Sequence, residues 1–379
     1  MLHRLFTLIL FVFLLLGTPL AASAAETEAL TLPPTYTDLE HELPPDIAGL
    51  LPDGLFSSDV SEALTATEEA TDWRYLANAL LSAVGLRLSD AARLLATLVG
   101  LLLIAAILAR LRESIGGASG EMFGFCLRLA LYAAIVTQTA GMVTLVQNYF
   151  ATLRTLTGGM IPAMGVLYAL GGNLGQAALN EEILLVFLTV CEYVSTVVTP
   201  PVCAVCMAFS LMDAFGVRLT LAALCDRVKK WYTSLLGLVL FLLGLALSAQ
   251  SVLVGRADSL GMRGVKYAVG TWIPVVGGAI SGTLGTVAEG VRLLRGICGV
   301  SGVVLVALLL IPTLIQLLIF RGVLNLGVTV ATLLGCDGEA RLLGEMASLH
   351  GYLAAAVSIC SVLFILALTL LIHSGVALA

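Results

Sequence analysis

The sequence predicts an all-α, polytopic integral membrane protein with two tandem repeats, Pro-broken helices and Gly-rich re-entrant or interfacial elements. Three observations carry that expectation. Of 379 residues, 59% are hydrophobic and only 12% charged, with a mean hydropathy of +1.03, whereas soluble domains carry roughly 25% charged residues. Apolar runs recur at lengths that cross a bilayer. The stretch "MIPAMG" at 160–165 returns as "WIPVVG" at 272–277, so Ile161, Pro162 and Gly165 recur 112 positions later as Ile273, Pro274 and Gly277.

Taken in order, residues 1–24 read as a signal peptide. His3 and Arg4 are followed by the apolar stretch Leu5 to Leu16, and "PLAASA" offers small residues for cleavage after Ala24. The apolar part is short for a spanning helix, which needs about 20 residues; an uncleaved anchor is the alternative. Residues 25–85 form an exported, acidic, Pro-rich tail. Twelve of the 25 acidic residues lie between Glu26 and Asp72, where there is no lysine or arginine, so the net charge of -6 does not describe the membrane part. Proline pairs and dense charge bury too little apolar surface to offset ordering entropy, so the tail is expected to be extended, becoming amphipathic helix near Trp73. It holds no cysteine to staple it. It serves either as a solvated spacer or as a docking tract for a basic surface.

Residues 86–122 hold the first transmembrane helix and a loop. Apolar runs at 91–109, 123–146, 231–253 and 351–372 each suit one crossing of a hydrocarbon core about 30 Å thick. Two longer runs, 183–216 and 297–335, contain Pro200 and Pro312 and accommodate either one broken crossing or two short ones, so six to eight crossings are expected.

Those prolines extend the repeat. Pro162 to Pro200 and Pro274 to Pro312 both span 38 residues, and Gln138 and Gln250 share the offset of 112. Repeat 1 is therefore placed at 123–234 and repeat 2 at 235–349, with the C-terminal helix of 350–379 beginning a third copy. Related halves with discontinuous helices are a transporter architecture, and irregular backbone persists at membrane depth only where protein or water satisfies it. The candidate gating or path elements are Pro162, Gly165, Pro200, Pro274, Gly277, Gly278 and Pro312. The bland reading of any one of these glycines is close helix packing.

Ionisable and amide residues in apolar runs are functional suspects: Arg128, Gln138, Glu192, Asp213, Gln250 and Arg321, with Glu192 a conceivable partner of Arg128. Positive-inside bias puts Arg110 and Arg112 in the cytoplasm. If the long runs cross once, Arg218, Arg227, Lys229 and Lys230 join them and the repeats are parallel; if twice, the repeats are inverted.

Chemistry is sparse. "CAVC" at 203–206 has ligand spacing but no second pair. "GVSG" at 299–302 is similar to the Gly-x-Ser-Gly of rhomboid-type proteases, with His350 or His373 as the base to consider, but no partner pattern accompanies it. No Walker A loop is present. No catalytic, cofactor-binding or metal-ligating residue is expected, and no nucleic-acid partner.

The signal-like N-terminus, the block "VKYAVGTWIPVVGGAISGTLGTV" at 265–287, the preceding "ALSAQSVLVGRAD" and the long run with Pro312 together resemble stage III sporulation protein AE of endospore-forming Firmicutes over residues 85–375. The resemblance implies a place in the mother-cell membrane around the forespore. It implies partners among the other stage III sporulation A-type proteins, including a separate ATPase and ring-forming proteins. It also implies a role as the permease or export gate of a channel complex that sustains late forespore development. The residues alone leave open a self-sufficient secondary transporter of a small solute.

Overall fold

The structure, a computed structural model, describes residues 34–37, 51–115, 118–170, 183, 185–187, 189–214, 223–239, 241–242, 245 and 277–373. Helix dominates, and no strand forms among the described residues. The elements are α1 (Pro34–Thr37), α2 (Val60–Thr71), α3 (Trp73–Ile115), α4 (Ala118–Leu170), a π turn (Val194–Val198) leading into α5 (Thr199–Ala214), α6 (Gly277–Leu333) and α7 (Asp337–His373). A further helical stretch covers 223–239.

Local chemistry explains the short elements. Gly54, at φ 84, turns the chain ahead of α2, a conformation that L side chains resist. Asp59 caps α2 by accepting the Ser61 N–H at 2.9 Å, while the Ser57 hydroxyl donates to Glu62 at 2.6 Å. α6 ends in a Schellman turn: the Cys336 N–H reaches the Ala331 carbonyl at 2.9 Å, the Gly335 N–H reaches Thr332 at 3.1 Å, and Gly335 takes φ 75. α7 starts at once with Asp337 and Glu339 in its first turn, where the helix dipole favours acids. α6 and α7 thus form a tight antiparallel hairpin.

Five helical segments are long and apolar enough to cross a membrane: Ala77–Arg110, Gly124–Leu167, Leu185–Met212, Gly296–Leu333 and Asp337–Val362. The expected runs at 91–109, 123–146 and 351–372 fall on three of them. The 231–253 run is helical to 239, and most of its remainder lies outside the described residues.

The prolines do not break their helices as expected. α4 continues through Pro162 and α6 through Pro312. Pro162 is exposed, and the carbonyl its ring crowds belongs to Gly158, itself exposed, so the strain is relieved outside the core. Where Pro200 and Pro201 remove two N–H groups, the π turn answers. Val194 accepts the Thr199 N–H, five residues on, together with the Thr199 hydroxyl at 2.9 Å. Both long runs are therefore single helical stretches among the described residues, and 158–170 of the first expected interfacial element is simply the end of α4. The second element, 268–289, is described only from Gly277, as the start of α6.

Side-chain pairs set the directions. Arg128 meets Glu339 and Tyr149 meets Ser361, so α4 and α7 run parallel. Cys191 meets Cys360, and Lys229 meets Glu345, with Cys206 beside Cys225; α5 therefore descends where α7 rises, in the same sense as α6. The core follows α6, in which every residue from Val303 to Leu310 is buried. A helix apolar all round belongs at the centre of an assembly.

Candidate functional site

Two polar features stand out against this apolar packing. The first closes one end of the bundle. Tyr36 is fully buried among Leu55, Phe56, α4 and α6, and its hydroxyl reaches Ser301 Oγ at 2.6 Å and the Leu55 carbonyl at 3.0 Å. Burial pushes the phenol far above its ordinary range, so it stays a neutral donor. Ser301 in turn donates to the Ile297 and Cys298 carbonyls at 2.9 and 3.0 Å. Beside it Gly302 admits the end of Met160, whose sulfur would lie 3.0 Å from a Cβ. The tail was expected to be extended and to become amphipathic helix near Trp73; the helix starts at Val60, and α1 and α2 lie on the bundle, because Tyr36, Phe56 and Val60 supply an apolar face that composition alone conceals.

The second feature is the seam between α4 and α7. Arg128 Nε pairs with Glu339 Oε1 at 3.1 Å, and the Tyr149 hydroxyl lies 2.5 Å from Ser361 Oγ. Halfway between, Thr139 and His350 follow Arg128 and Glu339 by 11 residues each, close to three turns, so they lie on the same faces as the pair below. Both are 0% exposed. His350 Nδ1 lies 2.9 Å from the Met346 carbonyl, which only accepts, so Nδ1 carries the hydrogen and Nε2 is a lone-pair acceptor. His350 Nε2 and Thr139 Oγ1 have no hydrogen-bond partner. Opposite, on α6, the Arg321 guanidinium occupies the space a side chain at 351 would need, with Cζ and Nη1 2.8 Å from a Cβ built on Gly351.

The sequence-selected residues scatter around these features. Arg128 pairs with Glu339, not with Glu192, which instead meets Arg154. Gln138 is half-buried beside Thr139, and Gly165, Pro200 and Pro312 are half-buried within their helices. Gly277, Gly278 and Asp213 are described by backbone alone; Pro274 and Gln250 lie outside the described residues. Ser301 and His350, considered together for proteolysis, have separate partners: Tyr36 and the Met346 carbonyl. Lys229 was read only as a loop charge bearing on orientation, yet its side chain is 1% exposed and its Nζ lies 2.6 Å from Glu345 and 3.3 Å from Ser348. Tyr36, Thr139 and the His350 orphan were also missed. The available signal was the polar residue within an apolar run, and nothing in the sequence marked which ones shared a layer.

Comparison of the chain with known proteins finds a family but no solved fold, since no solved structure matches the chain. Stage III sporulation protein AE of Bacillus subtilis (strain 168) is 21% identical over 287 residues, covering 75% of this chain and 71% of that protein. The family model described as stage III sporulation protein AE matches residues 56–375, which include α2 through the end of the α7 span and both partners of every seam layer. The chain therefore belongs to the stage III sporulation protein AE family.

Proposed function

We propose that the protein is the polytopic membrane subunit, acting as permease or export gate, of a sporulation channel complex joining mother cell and forespore. On this reading it resides in the mother-cell membrane around the forespore, works with a separate ATPase and ring-forming proteins of the stage III sporulation A set, and catalyses no reaction itself. The observation that carries the reading is the polar seam inside a bundle of membrane-length helices in a sporulation family. Buried polar and ionic groups in membrane helices are costly and commonly mark a path or a moving joint. The shared directions of α4 with α7 and of α5 with α6 agree with parallel tandem repeats that cross once per long run.

The decisive experiment is deletion in the native spore former, with complementation. The expected result is arrest of late forespore development, restored by the intact gene. Normal spores after deletion would overturn the reading. Purified protein in liposomes that moved a solute unaided would favour the self-sufficient transporter. Cysteine accessibility at 176, 222 and 260 sharpens the topology: 222 opposite the other two is the parallel arrangement.

A further inference from the structure

Polar groups in a packed interior are normally satisfied, and two of the three α4–α7 layers are. The middle layer is not: Thr139 Oγ1 and His350 Nε2 are buried without a partner, and Arg321, packed against Gly351 next to His350 in the chain, has no carboxylate partner among the described residues. We propose that Arg321, His350 and Thr139 bind a small oxyanion, a carboxylate or a phosphate, and that binding places one proton on His350 Nε2.

The chemistry follows from the atoms. A guanidinium is always charged and matches the two oxygens of a carboxylate or phosphate. A Thr hydroxyl donates one further hydrogen bond. The neutral imidazole, with its hydrogen on Nδ1, turns a lone pair toward the layer, which repels an anionic oxygen. A proton taken from solvent forms the Nε2–H bond, breaks no bond in the protein, and converts that acceptor into a third donor. The other charged groups around the layer are committed: on α7, Glu345 to Lys229 of the 223–239 helix and Glu339 to Arg128 of α4. Gly351 belongs to the site by what it lacks, because a Cβ there would displace the guanidinium. The inference stands independently of the channel reading.

The test uses the full chain in phosphatidylcholine nanodiscs, titrated calorimetrically with acetate and with inorganic phosphate at about pH 6 and about pH 8, in two buffers of different ionisation heat. The expected result is saturable binding with net proton uptake, about tenfold tighter per pH unit where uptake is complete. Arg321→Gln should weaken it by at least about tenfold, and His350→Gln should remove the pH dependence. Gly351→Ala, which retains every polar group, should weaken binding while leaving the helix content unchanged; it guards against Arg321→Gln failing to fold. A second arm measures anionic lipid retained on purification. Retention that disappears in Arg321→Gln, with no heat from soluble anions, assigns the site to a headgroup phosphate. Neither soluble binding nor Arg321-dependent retention, or equal binding in Arg321→Gln, would overturn the proposal. Binding without proton uptake would overturn the role of His350.

Discussion

α3 and α6 are both apolar enough to span a bilayer, yet 67% of an 18-residue apolar stretch of α6 is buried inside the protein against 22% of such a stretch of α3. Hydrophobicity does not separate them, because lipid tails are as apolar as leucine and give helices no reason of that kind to associate. Shape does. On α6, Gly302 lies under Met160 and Gly327 under Leu343, while Gly85 and Gly100 of α3 have nothing within 4 Å. Leu308 of α6 is 0% exposed, whereas Leu81, Leu103 and Ile107 of α3 face outward.

The contrast is most easily broken by truncation. Leu308→Ala should cost about 2–5 kcal/mol by leaving a cavity in a packed interior, while Leu103→Ala should stay within about 0.5 kcal/mol; unfolding of both variants in the same detergent measures the gap. Overpacking probes it from the other side. Gly302→Leu must displace Met160 and should cost about 1–3 kcal/mol, against little change for Gly100→Leu; equal effects would mean that the Gly100 face of α3 packs against protein after all.

A third variant asks whether the end cap matters as much as the centre. Tyr36→Phe keeps the ring among Leu55 and Phe56 but removes the bonds to Ser301 and the Leu55 carbonyl. A loss of about 1 kcal/mol should appear as faster proteolysis of the N-terminal segment with the spans still protected. The smallest effect belongs to α2 itself. The Ser61 backbone N–H, with help from its hydroxyl, holds the Asp59 carboxyl below its ordinary 3.8. The cap's contribution is therefore present above the unfolded value and is lost as pH falls through the lowered folded one. Amide exchange in α2 should quicken there, and Asp59→Ala should show the quick rate at every pH.

Much of this was legible in the residues. Low charge, run length and the long apolar stretch at 297–335 announce helices that cross, and the Ile-Pro block at 273–274 with its neighbours points to the family. The pairings were less accessible. Arg128 and Glu192 were the pair that charges in apolar runs suggested, yet each found another partner, Glu339 at a separation of 211 residues and Arg154 at 38. Tyr36 sits between prolines and acids whose composition argues for solvation, and only the α4–α6 surface makes its burial worthwhile. Thr139 carries no motif at all, and His350 was considered only as a base for Ser301.

By itself the sequence determined the all-helical membrane class and most of the spans, which follow from how many apolar side chains occur in succession, and the family, which the block at 265–287 and its neighbours carry. Only the tertiary structure decided which apolar faces meet protein instead of lipid, that helix continues through Pro162 and Pro312, and which polar groups share a layer. The physical reason is that lipid removes the hydrophobic preference for the interior, leaving close fit and hydrogen-bond geometry between helices distant in sequence to choose the neighbours.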